Sequence, residues 1–509
     1  MKDLTHGLFK LPSKEERIAA RAGASLNPLK LAAMLSPLEA AWFFSGWLAW
    51  TIDAWDFFSV SLSVTRLAVQ FGKEAHDITT SITLTLLFRS LGAVVAGLIS
   101  DRYGRKWPLV GNLVLIGVLS LGTGFVQTFP QFLAVRCLFG IGMGGIWGMA
   151  TATALENMPA APRGLFSGIL QQGYAVGYLL AASVNLTWIA KTNNWRNLFY
   201  LGAGLSVFAA LVRAVLPESA LFERVKEERR LKGGAEGKGK VFVRETKEML
   251  RLNWPRVIYG ILLMTGFNFL SHSSQDLYPT LIESTKLAYL PSAHAKNLAS
   301  KATIIGNCGA IVGGTLAGYI SQYLGRRLTI VMFVITTGAL IPAWILPHSF
   351  SALAASAFFV QFGVQGAWGV VPIYLSEISP PAFRATFPGV AYQIGNMVSS
   401  ASSQIEATGG DNLRLANPRF NPAQPVSAKN PTTIPDYATV SGILLGVVCA
   451  YLTCVVIFGK EYRGAEWDTT APVPQAATAH NADEIERGSD AEHVGDKHLG
   501  SEQGSVKKA

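Results

Sequence analysis

Apolar runs of roughly 20 residues, the length that crosses a bilayer as a helix, recur at 41–63, 78–100, 108–127, 131–155, 164–189 and 197–216. A stretch rich in Lys and Arg, Pro217 to Asn253, interrupts them. Six more runs follow at 256–278, 302–323, 328–346, 352–375, 386–407 and 438–458. The pattern predicts an all-α membrane protein of twelve transmembrane helices in two six-helix bundles, 41–216 and 256–458. A polar segment over 1–40, a central loop over 217–255 and a polar tail over 459–509 complete the domain reading. Cations fall on alternate connections: Arg102, Arg105 and Lys106, then Arg163, the central loop, Arg326 and Arg327, and Arg384. The positive-inside rule therefore puts both termini in the cytoplasm. The Pro- and Asn-rich connection 408–437 is placed outside and reads as irregular loop.

Composition sharpens this. Half of the 509 residues are hydrophobic and only 15% charged, with a mean hydropathy of +0.31, which excludes an ordinary soluble chain. The net charge of +10 sits in connections, where it orients helices, and does not call for nucleic acid. All four cysteines (Cys137, Cys308, Cys449, Cys454) lie in apolar runs, so neither a disulfide framework nor a metal site is expected. No nucleotide loop or nucleophile constellation sits on a soluble domain, so no enzyme and no cofactor are expected. The first forty residues lack an apolar stretch behind a short basic start, and no cleavable signal peptide is expected.

The halves repeat one another. Gly97-Leu-Ile-Ser-Asp101-Arg102-Tyr-Gly104-Arg105-Lys106 after the second run matches Gly318-Tyr-Ile-Ser-Gln322-Tyr-Leu-Gly325-Arg326-Arg327 after the eighth. Glu156 and Arg163 after the fourth match Glu377 and Arg384 after the tenth. Such duplication means a pseudo-twofold transporter with its site between the halves. The charges Asp101, Arg102, Arg105, Glu156, Arg163, Arg326, Arg327, Glu377 and Arg384 are assigned to gating, holding one conformational state shut.

The polar stretch that ends the seventh run carries the candidate chemistry. Asn268, His272 and Asp276 follow at i, i+4 and i+8 and stack on one helix face, flanked by Ser271 and Gln275. Hydrocarbon offers such groups no partners, so they should face a wet cavity. His272 with Asp276 can hold and pass a proton near neutrality. Asp53 and Asp56 on the first helix are further proton carriers, or else carboxylates paired with cations near the outer mouth. Arg136 on the fourth is an anion clamp or an interhelical ion pair, and Arg89 on the second competes for the clamp. Gln171, Gln172 and Tyr174 are left open between hydrogen-bonding a substrate and binding helices together.

Taken together these marks resemble the major facilitator superfamily over nearly all of 40–460. The Asp-Arg-x-Gly-Arg-Lys loop is the most specific, joined by Arg136 with Gly140, Gly142 and Gly144, and by Pro217-Glu218-Ser219. Asn268 to Thr280 fits without a gap the pattern N-x-x-[ST]-H-x-[ST]-Q-D-x-x-x-T of the fungal Jen-type monocarboxylate–proton symporters, which are related to the sialate–proton symporters. The resemblance implies that lactate, pyruvate or acetate crosses the plasma membrane with a proton by alternating access. It also adds Thr280, Gln393 and Asn396 to the cavity residues. Jen-type members divide between mono- and dicarboxylates, so succinate, malate or sialate stay open as cargo, as does a non-transporting carboxylate sensor. The implied partners are a small carboxylate, protons and the lipid bilayer, with no nucleic acid, for a chain that works as a monomer.

Overall fold

The computed structural model describes residues 27–461 except 74, 220–221, 224–226, 228–237, 381–382 and 428–429. The cations from Lys2 to Arg21, those from Arg224 to Arg230 and the tail from residue 462 lie outside the described residues. Twelve long helices form the bundle. They are α1 (Pro37–Ser61), α2 (Ala75–Tyr103), α3 (Lys106–Phe125), α4 (Phe129–Leu155), α5 (Arg163–Thr192) and α6 (Arg196–Val215). After the central connection come α7 (Lys238–Gln275), α8 (Ser292–Leu324), α9 (Arg326–Ile345) and α10 (Phe350–Ile378). Then follow α11 (Thr386–Ser399, continued by Ser402–Asn412) and α12 (Tyr437–Phe458).

Among the described residues nine of these, α2 to α6, α8 to α10 and α12, are long and apolar enough to cross a membrane by themselves. The other three are those with polar work to do. α1 carries Asp53 and Asp56 among four tryptophans, α7 ends in the Asn268–Gln275 cluster, and α11 is interrupted at Ser400–Ala401. Two boundaries fall earlier than the apolar runs suggest. α7 starts at Lys238, inside the stretch read as a loop, and α8 at Ser292. Both stretches are rich in strong helix formers, with Lys, Arg and Glu among the Met and Leu of the first and Lys among the Ala of the second, so they form helix while being too polar to read as apolar runs. Pro255 is accommodated inside α7, whereas Pro279 lies beyond its end, in the first turn of a short helix, Tyr278–Leu281.

Local signals set several ends. Ser36 caps α1 in a capping box with Glu39, and Thr128 caps α4 with Gln131. The α2–α3 and α8–α9 turns pass through Gly104 at φ +110° and Gly325 at φ +103°, matched positions of the two repeats. Only glycine adopts that backbone cheaply. Between helices in lipid there is little hydrophobic drive, so close approach and hydrogen bonds must hold them together. α4 lies against α2 because Gly140 and Gly144 present no Cβ to the backbones of Thr85 and Arg89. The halves meet along α2 with α11 and α5 with α8. There Ser90 Oγ donates to the Gln393 carbonyl at 2.9 Å, and Ser167 Oγ to the Gly369 carbonyl at 2.9 Å. Opposite the end that carries the basic loops, an antiparallel pair, β1 (Arg414–Ala416) and β2 (Thr433–Pro435), closes the α11–α12 connection, with Leu415 facing Ile434.

Candidate functional site

The helical spacing of Asn268, His272 and Asp276 turns all three toward α11. His272 Nδ1 lies 3.0 Å from Asp276 Oδ2, and its Nε2 lies 3.2 Å from Asn396 Oδ1. Asn396 donates its own amide to Gln393 Oε1 at 2.8 Å, which fixes its oxygen toward the imidazole. Nε2 must then carry a hydrogen. Nδ1 faces a carboxylate, so one further proton lies between Nδ1 and Oδ2, on whichever atom holds it. Ser403 Oγ on the outer part of α11 donates to the same Oδ2 at 2.9 Å. The imidazole–carboxylate pair is thus shared by α7 and α11.

A cavity opens beside it, between the two halves. Asn268, Ser271 and His272 from α7, with Asn396 from α11, form one side. Arg89 on α2, with Gln171 and Tyr174 on α5, forms the other, and Gln365, Trp368 and Tyr392 supply the remaining wall. It has room for about one water. It is therefore a closed site that must widen to take even a three-carbon acid. Aromatic rings brace it: Trp147 stacks on Tyr392 with centroids 4.8 Å apart, and Trp50 on Tyr174 at 5.4 Å.

Of the two arginines, Arg89 lines this cavity and Arg136 does not. Arg89 Nη2 pairs with Asp53 Oδ2 at 3.0 Å, and its guanidinium lies 5.9 Å from the centroids of both Phe57 and Tyr392. Arg89 Nε and Asp53 Oδ1 are buried without partners. Arg136, 1% exposed, lies 4.0 Å over the Phe139 ring, with Nε and Nη1 unpartnered and Asp56 and Asp53 as its opposing charges. Asp56 accepts from Ser120 at 2.7 Å and Ser206 at 3.3 Å, fastening α1 to α3 and α6. Two guanidinium groups and two carboxyl groups thus form one buried set inside the first half, and of the four only Arg89 is presented to the cavity.

Other residues singled out in the sequence fall around this centre. Gln275 donates to Gln361 Oε1 on α10 at 2.7 Å, and Thr280 lies on the short helix beyond α7, so neither lines the cavity. Gln393 is fully buried and meets the site through Asn396. Asn268 lines the cavity and also ties α7 to α11, donating to the Tyr392 carbonyl at 3.1 Å. Gln171 and Tyr174 line it, while Gln172 reaches across to the Gln365 carbonyl at 3.5 Å. Gln365, Trp368, Tyr392 and Ser403 were not foreseen. Gln361 and Gln365 at i and i+4 on an apolar helix were a readable signal; the aromatics were not, since aromatics occur throughout the chain.

The charges assigned to gating gather at the end of the basic loops. Arg105 bridges Asp101 at 3.1 Å and Glu156 at 2.8 Å. Asp101 also accepts from the Thr386 N–H at 3.0 Å, the Ala385 N–H at 3.4 Å and the Thr386 hydroxyl, capping the N-terminus of α11 in the opposite half. Carboxylate and helix dipole attract there. In the other repeat Arg326 grips Glu377 through two bonds, 3.1 and 2.9 Å, and Gln322 reaches the Ala160 carbonyl at 3.4 Å. Arg327 binds carbonyls at the end of α12, Val456 and Ile457. Arg163 donates to the Met158 carbonyl at 2.8 Å, and Arg384 is buried nearby. Arg102 is exposed, over the Tyr103 ring.

Two repeated six-helix halves around a midplane cavity define a multi-pass membrane transporter, not an enzyme. The chain belongs to the Major Facilitator Superfamily, whose family profile matches residues 43–403. It is 32% identical over 450 residues to a carboxylic acid transporter protein homolog of Saccharomyces cerevisiae, covering 86% of this chain and 70% of that one. It is 26% identical to a probable 4-methylmuconolactone transporter of Cupriavidus pinatubonensis, covering 75% of this chain and 86% of the relative. The fold matches the proton:xylose symporter XylE bound to 6-bromo-6-deoxy-D-glucose at a TM-score of 0.65, with 17% identity over 85% of this chain and 98% of that one.

Proposed function

We propose that this protein carries short-chain carboxylates such as lactate, pyruvate and acetate across the plasma membrane together with protons. It works as a monomer, with both termini and the basic loops in the cytoplasm. The observation that carries this reading is one closed cavity with Arg89 on one side and the His272–Asp276 pair on the other. A guanidinium fork suits a carboxylate, and Arg89 keeps an unpartnered Nε beside its bond to Asp53. An arriving anion brings a negative charge into a closed site beside the cluster of Asp53, Asp56, Arg89 and Arg136. A proton taken up by the His272–Asp276 pair restores neutrality, and anion and proton then move together. The Asp101 cap on α11 holds the cytoplasmic end shut until the halves rock. The carboxylic acid transporter homolog of yeast supports the substrate class.

The test is uptake of labelled lactate, pyruvate, acetate, succinate and sialic acid into proteoliposomes with an alkaline interior. Acid-driven accumulation that a protonophore collapses is expected for the short acids. Equilibration of every acid without accumulation would overturn coupling, and binding without uptake would mean a sensor. A second reading, larger unsaturated acids, is favoured by the ring faces of Tyr174, Trp368 and Tyr392 on the cavity. Competition of lactate uptake by muconate decides between them.

A further inference from the structure

Glu406 lies on the outer part of α11, is 1% exposed, and neither of its carboxyl oxygens has a hydrogen-bond partner. A bare charge in such a place is expensive, so the form it favours is the neutral acid. Asp276 of α7 is the charged group facing it, and α12 contributes the Ser441 hydroxyl. The strand β2, which also packs on this helix, brings no titratable side chain. One turn before Glu406, Ser403 donates to Asp276 Oδ2 at 2.9 Å, and the Ser402 hydroxyl is buried without a partner. One turn after it, the Gly410 carbonyl accepts from the N–H of Asp436 in the outer loop at 3.1 Å. Ser402, Ser403 and Glu406 thus follow one another along α11 between the outer loop and Asp276.

We propose that Glu406 is the acid that supplies protons to the His272–Asp276 pair from the outer side. This rests on the proton-coupled reading above. In the step an O–H bond breaks on Glu406 and one forms on the Asp276 carboxylate. Glu406 is left as an unpaired buried carboxylate and is reprotonated from water at the outer loop. The imidazolium of His272 beside a neutral Asp276 then offsets the substrate's charge across the cavity. Glu406 touches no substrate; it acts through Asp276.

Reconstituted wild type, Glu406→Gln and Glu406→Asp test this. One proton per monovalent anion allows about tenfold accumulation for a gradient of one pH unit. Wild type should approach that ratio and Glu406→Gln should stay near unity, while lactate–lactate exchange falls far less. Glu406→Asp, which keeps a carboxyl, should retain part of the accumulation with a displaced pH profile. Accumulation by Glu406→Gln equal to wild type overturns the inference. So does an equal loss of exchange and accumulation at an unchanged pH profile, which is what a packing role predicts. A second readout needs no substrate: dicyclohexylcarbodiimide adds to protonated carboxyls in apolar surroundings. Peptide mass spectrometry of the detergent-purified chain should find the adduct on Glu406, decreasing as pH rises; its absence there overturns the inference. If wild type carries none of the acids but Glu406 is labelled, the substrate reading fails and the buried acid stands.

Discussion

Exchanging each arginine for lysine separates the two as anion clamps. At Arg89 the substitution keeps the positive charge near Asp53 but removes the planar fork that lines the cavity. Losing one of two charge-assisted hydrogen bonds to the substrate costs about 1.5–3 kcal/mol, roughly a tenfold to hundredfold rise in KM. At Arg136 the same change is made behind the cavity wall, over the Phe139 ring, and KM should move by less than about threefold, within the sub-kcal range of indirect effects. Arg89→Ala is a harsher probe because it strands Asp53, which is 0% exposed. Breaking a buried pair on one side costs about 3–5 kcal/mol, enough to deplete the protein from the membrane. The double variant Arg89→Ala with Asp53→Asn should restore the amount of protein without restoring affinity. Initial rates of labelled lactate uptake, normalised to surface protein, decide. A large KM change in Arg136→Lys with a normal Arg89→Lys would refute the assignment and place the clamp on α4.

Asp276→Asn should abolish accumulation driven by a pH gradient while sparing exchange more, and His272→Gln should flatten the pH profile by replacing an imidazole with an amide that takes up no proton; unchanged coupling in Asp276→Asn would move the proton to Asp53 or Asp56. Asp101→Asn replaces a charged acceptor by a neutral one at the start of α11, about 1 kcal/mol, or roughly a fivefold shift toward the state open at the basic end. Maleimide labelling of Ala385→Cys, 1% exposed and bonded to Asp101 through its N–H, in a chain whose own cysteines are serine, should accelerate accordingly, and an unaltered rate counts against the latch. Epitope tags at either terminus should be shielded in intact cells and one within 412–427 accessible; surface labelling of a terminus reverses the orientation.

Much of the architecture was legible because two strong periodicities carry it: runs of bilayer length, and the matched loops Asp101–Lys106 and Gln322–Arg327. The α7 face was legible for the same kind of reason, since Asn268, His272 and Asp276 at one-turn spacing have a single plausible direction. Arg89 against Arg136 was not. Both are lone cations on apolar helices, and what separates them is the roll of α2 against α4, set by close backbone contacts at Gly140 and Gly144. Glu406 escaped notice because it stands near the end of an apolar run, where a carboxylate reads as solvated. The interruption of α11 and the cover provided by α12 and β2 bury it instead.

The division of labour between the halves follows from where charge can change. In the first half Asp53, Asp56, Arg89 and Arg136 form one buried cluster, and two of its four members are arginines, which do not release protons. On the proposed reading that set holds the anion. On the same reading His272, Asp276 and Glu406 of the second half exchange protons, and no arginine lines that side of the cavity. α11 connects the two. It donates the Thr386 N–H to Asp101, receives Ser90 at the Gln393 carbonyl, and presents Asn396 and Ser403 to the proton-holding pair. A helix held by the first half at one end and by the titrating groups at the other must feel both the anion on Arg89 and the protonation of Asp276. On the proposed reading coupling needs no long pathway: α11 is biased by both cargoes, and the conformation that releases its Asp101 cap is expected to be favoured only when both are in place.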